Sequence, residues 1–593
     1  MTVKAKPWDL SPLVPSTKLD DIKALMDKAV KDAEEHAAKY KGKITDMDAK
    51  ALNNYIKRGE KLWLAREGPF RYASLSYSAN SLDETAKKLA DLARRLGTKI
   101  AQILAYEDIE LSKLVAAKPE LIEHPDLVEY SHTLERYKRR APHMLSEIEE
   151  QWILQKDRFG INAWQQLQGD WLSTRMFHIE IDGKMREMPY GEIIALYEHP
   201  NRELRKAANS VVYTNLGEDE IVWASALRAI VGDHIEVSKC RKWLEPRSQS
   251  LIDNDVDSET IDALMSTIED NADLYRRYLN VKAKIMGLPK LGNWDIVAPL
   301  PGMPERNFTW EEAKRLVVDV YKTIDDQLAD IVIDMFKKNR IDGEVRKGKR
   351  SGAFFSRWHG GKSGFILCSF NGNLGDVFTL AHENGHAVHG TLMFRDLSPL
   401  NTDISYGIAE VGSTFGELLL ADNLISAATT DKEKIEVLAR ILDEFGMATF
   451  QVSARYFFET YLYEAFEQGE YLDGETIAKY WVKGRDKIYG NAIEWLPEMK
   501  WEWTMKQHYY LANFRYYNWP YVFAQLFVFA LYRLYKEEGK TFALKLKRIL
   551  SSGSTISPRA LAAELGFDIT KKEFWTKGME QAKDFIEQIE ALS

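Results

Sequence analysis

Apolar residues recur at intervals of three and four along most of the chain, and this spacing predicts a mainly α-helical protein. The stretch 17–158 carries it with dense charge at the intervening positions, most clearly in LDETAKKLADLARRLGTKIAQIL (82–104). Strict alternation occurs in FHIEIDGKMREM (177–188), which turns at Asp182-Gly183 and predicts a β-hairpin. Helical periodicity resumes after Pro200, over 201–238 and 258–286, and leads to a Pro/Gly-rich connection, APLPGMP (298–304). Short apolar runs near 353–370 predict strands, and Gly352–Phe355 is a candidate edge strand for an extended ligand. Helices are expected again from about Gly375, over 404–425 and 431–550, with a small helical cap at 558–592. Two regions follow: an N-terminal helical region, 1–200, containing the hairpin near 177–188, and a second region, 201–593, in which the chemistry concentrates.

Composition narrows the class. The chain has 593 residues, 45% hydrophobic and 28% charged, which fits a soluble globular protein with a large core. Net charge is −9, and the one short basic patch, KGKR (347–350), reads as a solvated turn, so nucleic acid is not an expected partner. Cys240 and Cys368 are too few for a disulfide framework or a thiolate zinc site and fit a reducing compartment. The start, MTVKAKPWDLSPL, lacks an apolar stretch of signal-peptide length. FAQLFVFALYRLY (523–535) is the most apolar run, but it falls short of the roughly 18 residues of a membrane span. Cytoplasmic residence without a membrane partner is the expectation; oligomeric state is left open.

The sharpest chemical signal is AHENGHAVHG (381–390). On a helix, His382 and His386 stand one turn apart on one face, where both imidazoles can reach one metal ion. Glu383 is turned about 100° from His382, so it can approach a water without serving as a ligand. This is the H-E-x-x-H arrangement of zinc hydrolases, with two ligands and one general base. Gly385 costs about 1 kcal/mol inside a helix relative to Ala, which makes sense if another backbone or a ligand must come close.

A catalytic zinc needs a third protein ligand and an open position. The stretch ISYGIAEVGSTFGELLLADNLI (404–425) offers Glu410 and Glu417. Glu410, set among Gly407, Gly412 and Ser413, is the favoured ligand because its helix can pack closely on Gly385. Glu417, followed by LLLA, is the deeper carboxylate and a candidate acceptor for a ligand histidine. His389 is a rival ligand. It lies seven residues past His382, about 10.5 Å along a helix axis, so it reads instead as a core residue or one that supports a ligand.

HENGH followed by Glu410 in AEVGSTFGE resembles the thimet oligopeptidase and oligoendopeptidase F family of zinc metallopeptidases. WDLSPL (8–13), LYRRYLNVKAKIMGLPKLGNWDIVAPL (274–300), KRSGAFF (349–355), GFILCSFNG (364–372) and HYYLANFRYYNWPYVF (508–523) resemble further segments of that family, so the likeness spans nearly the whole chain. Asn384 departs from it, at a variable position often apolar in relatives. The resemblance implies two mainly helical lobes around a deep channel and a zincin-type catalytic region with a small β-sheet. It implies one Zn2+ held by His382, His386 and Glu410, with Glu383 as general base. His508, Tyr517 and Tyr521 become candidates for holding substrate and stabilising an oxyanion, with Tyr509, Tyr510 and Tyr516 as neighbouring alternatives. The activity implied is hydrolysis of internal bonds in short unstructured peptides through a metal-activated water. An exopeptidase of similar type and a catalytically silent peptide-binding protein are the competing readings.

Overall fold

Helices carry most of the chain in the computed structural model, which describes residues 5–304 and 306–593. The periodic stretch at 82–104 forms the helix Glu84–Leu104, started by Asp83, whose side chain accepts from the Thr85 and Ala86 amides. Such a cap satisfies donors that the first turn would otherwise leave orphaned. The alternating stretch forms the hairpin Met176–Ile181 and Lys184–Pro189. Asp182 and Gly183 take φ values of +52° and +72°, the left-handed pair that a two-residue turn requires.

The chain folds into two compact units, each assembled from three separate stretches. The first comprises Met1–Pro142, Glu305–Asn423 and Leu534–Phe567; the second comprises His143–Pro304, Leu424–Arg533 and Asp568–Ser593. In the first, Trp8, Ile22, Met26, Ala73, Leu89, Phe365 and Leu367 share one core, so the N-terminal helices bury the same apolar cluster as the sheet. That sheet has three strands in the order Ile341–Asp342, Ser363–Leu367, Phe354–Trp358, the first pair parallel and the second antiparallel. The middle strand is wholly buried and Phe354–Trp358 is an edge. Gly352 precedes this edge strand at φ +82°, so the candidate segment begins as turn and becomes strand at Phe354.

The helix that carries the histidine motif runs Leu374–Asp396 and starts slightly earlier than the acidic-first-turn signal suggests. Its cap is Asn373, which accepts from the Asp376 amide, while Asp376 accepts from the amides of Asn371, Gly372 and Asn373. The segment expected as one helix over 404–425 is broken. Tyr406–Ala409 ends at Glu410, which has φ −82° and ψ −4°, and a second helix begins at Val411. The expected cap at 558–592 is also divided: Pro558–Glu564 belongs to the first unit and Lys572–Leu592 to the second.

The second unit is built around two apolar faces. Phe177 and Ile179 of the hairpin join Ile193, Val212, Leu216 and Met499. Lys572–Leu592 buries Trp575 and Phe585 against the helices Ser258–Asp270 and Asp431–Phe445. Among the described residues, no helix is long and apolar enough to cross a membrane.

Candidate metal centre and catalytic site

Two glycines set the geometry of the site. A Cβ placed on Gly385 would lie 2.2 Å from the Gly412 carbonyl oxygen, and one on Gly412 would lie 2.5 Å from that of Gly385. The motif helix and the helix after Glu410 therefore meet backbone to backbone, the close approach that the small residues around Glu410 predict. The break at Glu410 falls beside this contact. Its carboxylate stands 3.5 Å from Nε2 of His382 and 3.5 Å from Nε2 of His386, measured at the same Oε2. One ligand atom from each of the three residues lies within 4.8 Å of the others.

These spacings fit a tetrahedral metal. Ligands at ~2.0–2.2 Å from a zinc ion are separated by about 3.3–3.6 Å along a tetrahedral edge, and both His–Glu separations fall in that range. Two imidazoles and a carboxylate are the donor set of a catalytic zinc, with a fourth position left to water or substrate. Glu383 adds an independent observation. It is 5% exposed, and its Oε2 has no hydrogen-bond partner. A buried carboxylate without donors is costly, and a neighbouring dication removes that cost.

The surrounding groups orient the three. Ser413 donates its hydroxyl to Glu410 Oε2 at 2.7 Å. Glu417 lies 3.4 Å from His382 Nδ1, the nitrogen turned away from Glu410, so it can fix the tautomer that presents Nε2. Tyr321 donates to the Ala381 carbonyl at 3.1 Å, and Gly416 leaves room for its hydroxyl. Neither Ser413 nor Tyr321 stands out in the sequence as a site residue: Ser413 reads only as a small residue, and Tyr321 lies 60 positions upstream in an ordinary amphipathic helix. Asn384 donates its amide nitrogen to the Leu380 carbonyl at 2.8 Å, while its buried Oδ1 has no hydrogen-bond partner.

Charge follows the same logic. Burial pulls the His382 imidazolium down, but Glu417, Glu410 and Glu383 overcome it and carry its pKa to about 10. Burial dominates at His386, which falls to about 4. Burial also raises Glu383 to about 7, with Glu410 and Glu417 adding to the rise against His382. Three carboxylates around two imidazoles thus make a pocket in need of positive charge. His389 stays outside it, 2% exposed, its pKa pushed by burial to about 3.

In the second unit His508, Tyr517 and Tyr521 form one aromatic cluster. Ring centroids are 5.6 Å apart for His508–Tyr517, 6.1 Å for His508–Tyr521 and 5.6 Å for Tyr517–Tyr521. All three are half-buried, whereas the alternatives Tyr509, Tyr510 and Tyr516 are 3%, 1% and 3% exposed and belong to the core. Burial, reinforced by Arg455 and Lys506, lowers the His508 pKa, which favours a neutral ring with one N–H to donate.

The family model for peptidase family M3 matches residues 195–581, and that for oligopeptidase F matches 115–173. The chain belongs to peptidase family M3. It is a metallopeptidase by that membership. Oligopeptidase PepF of Bacillus subtilis is 26% identical over 590 residues, covering 99% of this M3 chain and 87% of the relative. Group B oligopeptidase PepB of Streptococcus agalactiae is 25% identical over 608 residues, covering 99% and 96%. The fold matches the crystal structure of oligoendopeptidase-F from Enterococcus faecium with TM-score 0.69 at 21% identity, covering 97% of this chain and 98% of that one. It also matches a chain solved from Chlamydophila abortus with TM-score 0.87 at 19% identity, covering 100% of both.

Proposed function

We propose that this M3 peptidase is a zinc-dependent oligoendopeptidase that cuts internal bonds of short unstructured peptides. One observation carries the reading: His382, His386 and Glu410 converge at the spacing of a tetrahedral zinc beside a buried carboxylate, Glu383, with an unpaired oxygen. Relatives named as oligopeptidases along nearly the full length support the substrate class. In this reading His382, His386 and Glu410 hold the ion. The ion supplies Lewis acidity, enough to bring the pKa of water to about 7.

Glu383 takes the proton of the attacking water and returns it to the nitrogen of the leaving amine. Glu417 and Ser413 keep His382 and Glu410 in register while this occurs. His508, Tyr517 and Tyr521 donate hydrogen bonds to the oxygen on which charge develops and hold the peptide. The edge strand Phe354–Trp358 pairs with the extended backbone of the substrate. Catalysis draws on 201–593, with 1–200 as a helical region that shapes access. Cys240 and Cys368, both free thiols, fit a reducing, cytoplasmic setting.

Incubating the purified protein with a mixed peptide library, with and without a chelator, tests the reading. Mass spectrometry should show chelator-sensitive internal cuts; stepwise removal of terminal units would make it an exopeptidase. No cleavage at all, with metal bound, would leave a silent peptide-binding protein.

A further inference from the structure

Three large apolar side chains stand in solvent along one side of the helix Glu147–Phe159, in the second unit. Ile148 is 68% exposed, Trp152 67% and Phe159 79%. Around the helix they lie within about 40° of one another, a single stripe. None of the 13 residues of this helix is buried. Its half-buried residues Glu150, Ile153 and Asp157 lie on the opposite side. The helix packs on its neighbour Ile161–Thr174, and two ion pairs tie it to the unit, Glu150–Arg241 at 2.7 Å and Lys156–Asp233 at 2.6 Å. A single exposed apolar residue is ordinary. Three in register on a helix that buries nothing mark a face made to be covered.

The charges beside the stripe select what covers it. Glu147 and Glu149 stand in the first turn, Lys156 and Arg158 in the last. That order alone suits the helix dipole, but its placement around the stripe goes further. Glu147 and Arg158 share one flank, and Glu149 and Lys156 share the other. Both pairs have the same midpoint, between Trp152 and Ile153. When a twofold axis relates two antiparallel copies of one helix, each flank faces its own counterpart with the ends exchanged. An axis at that midpoint sets Glu147 of each copy against Arg158 of the other, and Glu149 against Lys156. Trp152 then meets Trp152, and Ile148 comes up beside Phe159. A parallel pair would set acids against acids and bases against bases. Within the chain, Arg158 lies over the Phe159 ring at 5.3 Å and, among the described residues, has no carboxylate at ion-pair distance. Glu147 accepts from Gln151 at 3.3 Å. Glu149 and Lys156 already serve Ser146 and Asp233, so the Glu147–Arg158 pair is the one a second copy completes.

We propose that this face of Glu147–Phe159 is a self-association surface, on which a second copy of the chain docks with its own helix antiparallel. The inference goes beyond the peptidase reading and does not use it. Three apolar side chains from each copy, with their polar flanks, bury on the order of 1,000 Å² in all, the lower limit of a specific interface. The dimer therefore forms and parts readily, with a Kd on the order of 10–100 µM.

Sedimentation velocity on the full chain, from about 1 to 300 µM, brackets that value. The wild-type mass should climb from 68.2 kDa toward twice that figure. Trp152→Glu should weaken association by about tenfold or more. Glu147→Arg and Arg158→Glu each set like charges together and should each weaken it about tenfold. The double variant Glu147→Arg/Arg158→Glu exchanges the charges within every pair and should regain wild-type association. Mixed in equal amounts, the two single variants should bind each other more tightly than either binds itself, a pattern that parallel pairing does not give. Recovery in the double variant and in the mixture separates lost pairing from misfolding. A chain that stays single across the range overturns the proposal, as does a dimer indifferent to Trp152→Glu or charge reversals that are not rescued. Should the chain stay single yet bind an unstructured peptide or phospholipid vesicles in a way that Trp152→Glu abolishes, the face serves that ligand and the second copy is likewise overturned.

Discussion

The histidine helix and the tyrosine segment at 508–521 assemble their proposed chemistry in opposite ways. In the first, the helical repeat itself sets His382 and His386 on one face, and a glycine contact brings Glu410 to them. In the second, no repeat operates: His508 sits in a 3₁₀ turn, Tyr517 in a loop and Tyr521 in the helix Trp519–Glu538. A site written in local geometry tolerates little change at its few named atoms. A site assembled by tertiary packing depends on buried groups that never touch the substrate.

The largest expected effects fall in the first region. Glu383→Gln should leave metal content unchanged by elemental analysis and lower kcat/KM by about 10²–10⁴-fold. His382→Ala should lose the metal as well. A Glu383→Gln protein that cleaves near the wild-type rate would remove the base from the mechanism. In the second region, His508→Ala and Tyr521→Phe should each lower kcat by about 10²–10³-fold if the group donates to the oxyanion. A change confined to KM would reassign it to substrate binding and widen the contrast between the regions.

Backbone contact gives a test of the first region that leaves every chemical group in place. Gly385→Ala forces a Cβ to within 2.2 Å of a carbonyl oxygen, with no flexible side chain to yield. A cost of about 1–3 kcal/mol or more is expected, read as a lower unfolding midpoint together with weakened metal binding. Unchanged stability would mean that the two helices separate freely. Glu417→Gln should act more gently, weakening metal affinity by about 10–100-fold in a competition titration.

What the sequence made legible follows the same division. Helix 84–104, the hairpin at Asp182-Gly183, and the pairing of His382 with His386 are encoded by spacing and need no tertiary information. Glu410 was within reach because small residues flank it and because of the family likeness. The break in the helix at Glu410 was not, since residues 404–425 keep an apolar, helix-like pattern across it. Tyr321 does not show as a support because its role is one hydrogen bond to a helix 60 positions away, and Ser413 does not because its bond to Glu410 depends on the break that the apolar pattern hides. The separation of Tyr517 and Tyr521 from Tyr509, Tyr510 and Tyr516 likewise depends on which rings reach the core.

The smallest effect on turnover tests how the tyrosine segment is held. Tyr516 has φ +51°, a left-handed conformation unfavourable for an aromatic residue. Its amide donates to Glu459 at 2.7 Å, and Glu459 is 3% exposed. Burial raises the Glu459 pKa from 4.5 to about 7, although the Tyr516 amide and Arg515 oppose the rise. The folded state therefore binds this proton more tightly than the unfolded chain does. Its contribution to stability is complete below the unfolded value and is lost as pH rises through about 7. The full swing is on the order of 3 kcal/mol. Glu459→Gln cannot titrate, so the difference in unfolding free energy between wild type and variant should slope between about pH 4.5 and 7 and level off above, with wild type losing ground as pH rises. The same variant should retain Tyr516 through the amide oxygen, and kcat should then change less than in Tyr521→Phe. A flat difference across that range would show that Glu459 is ionised in the fold, and the support of the tyrosine segment would have to be sought in Arg515 instead.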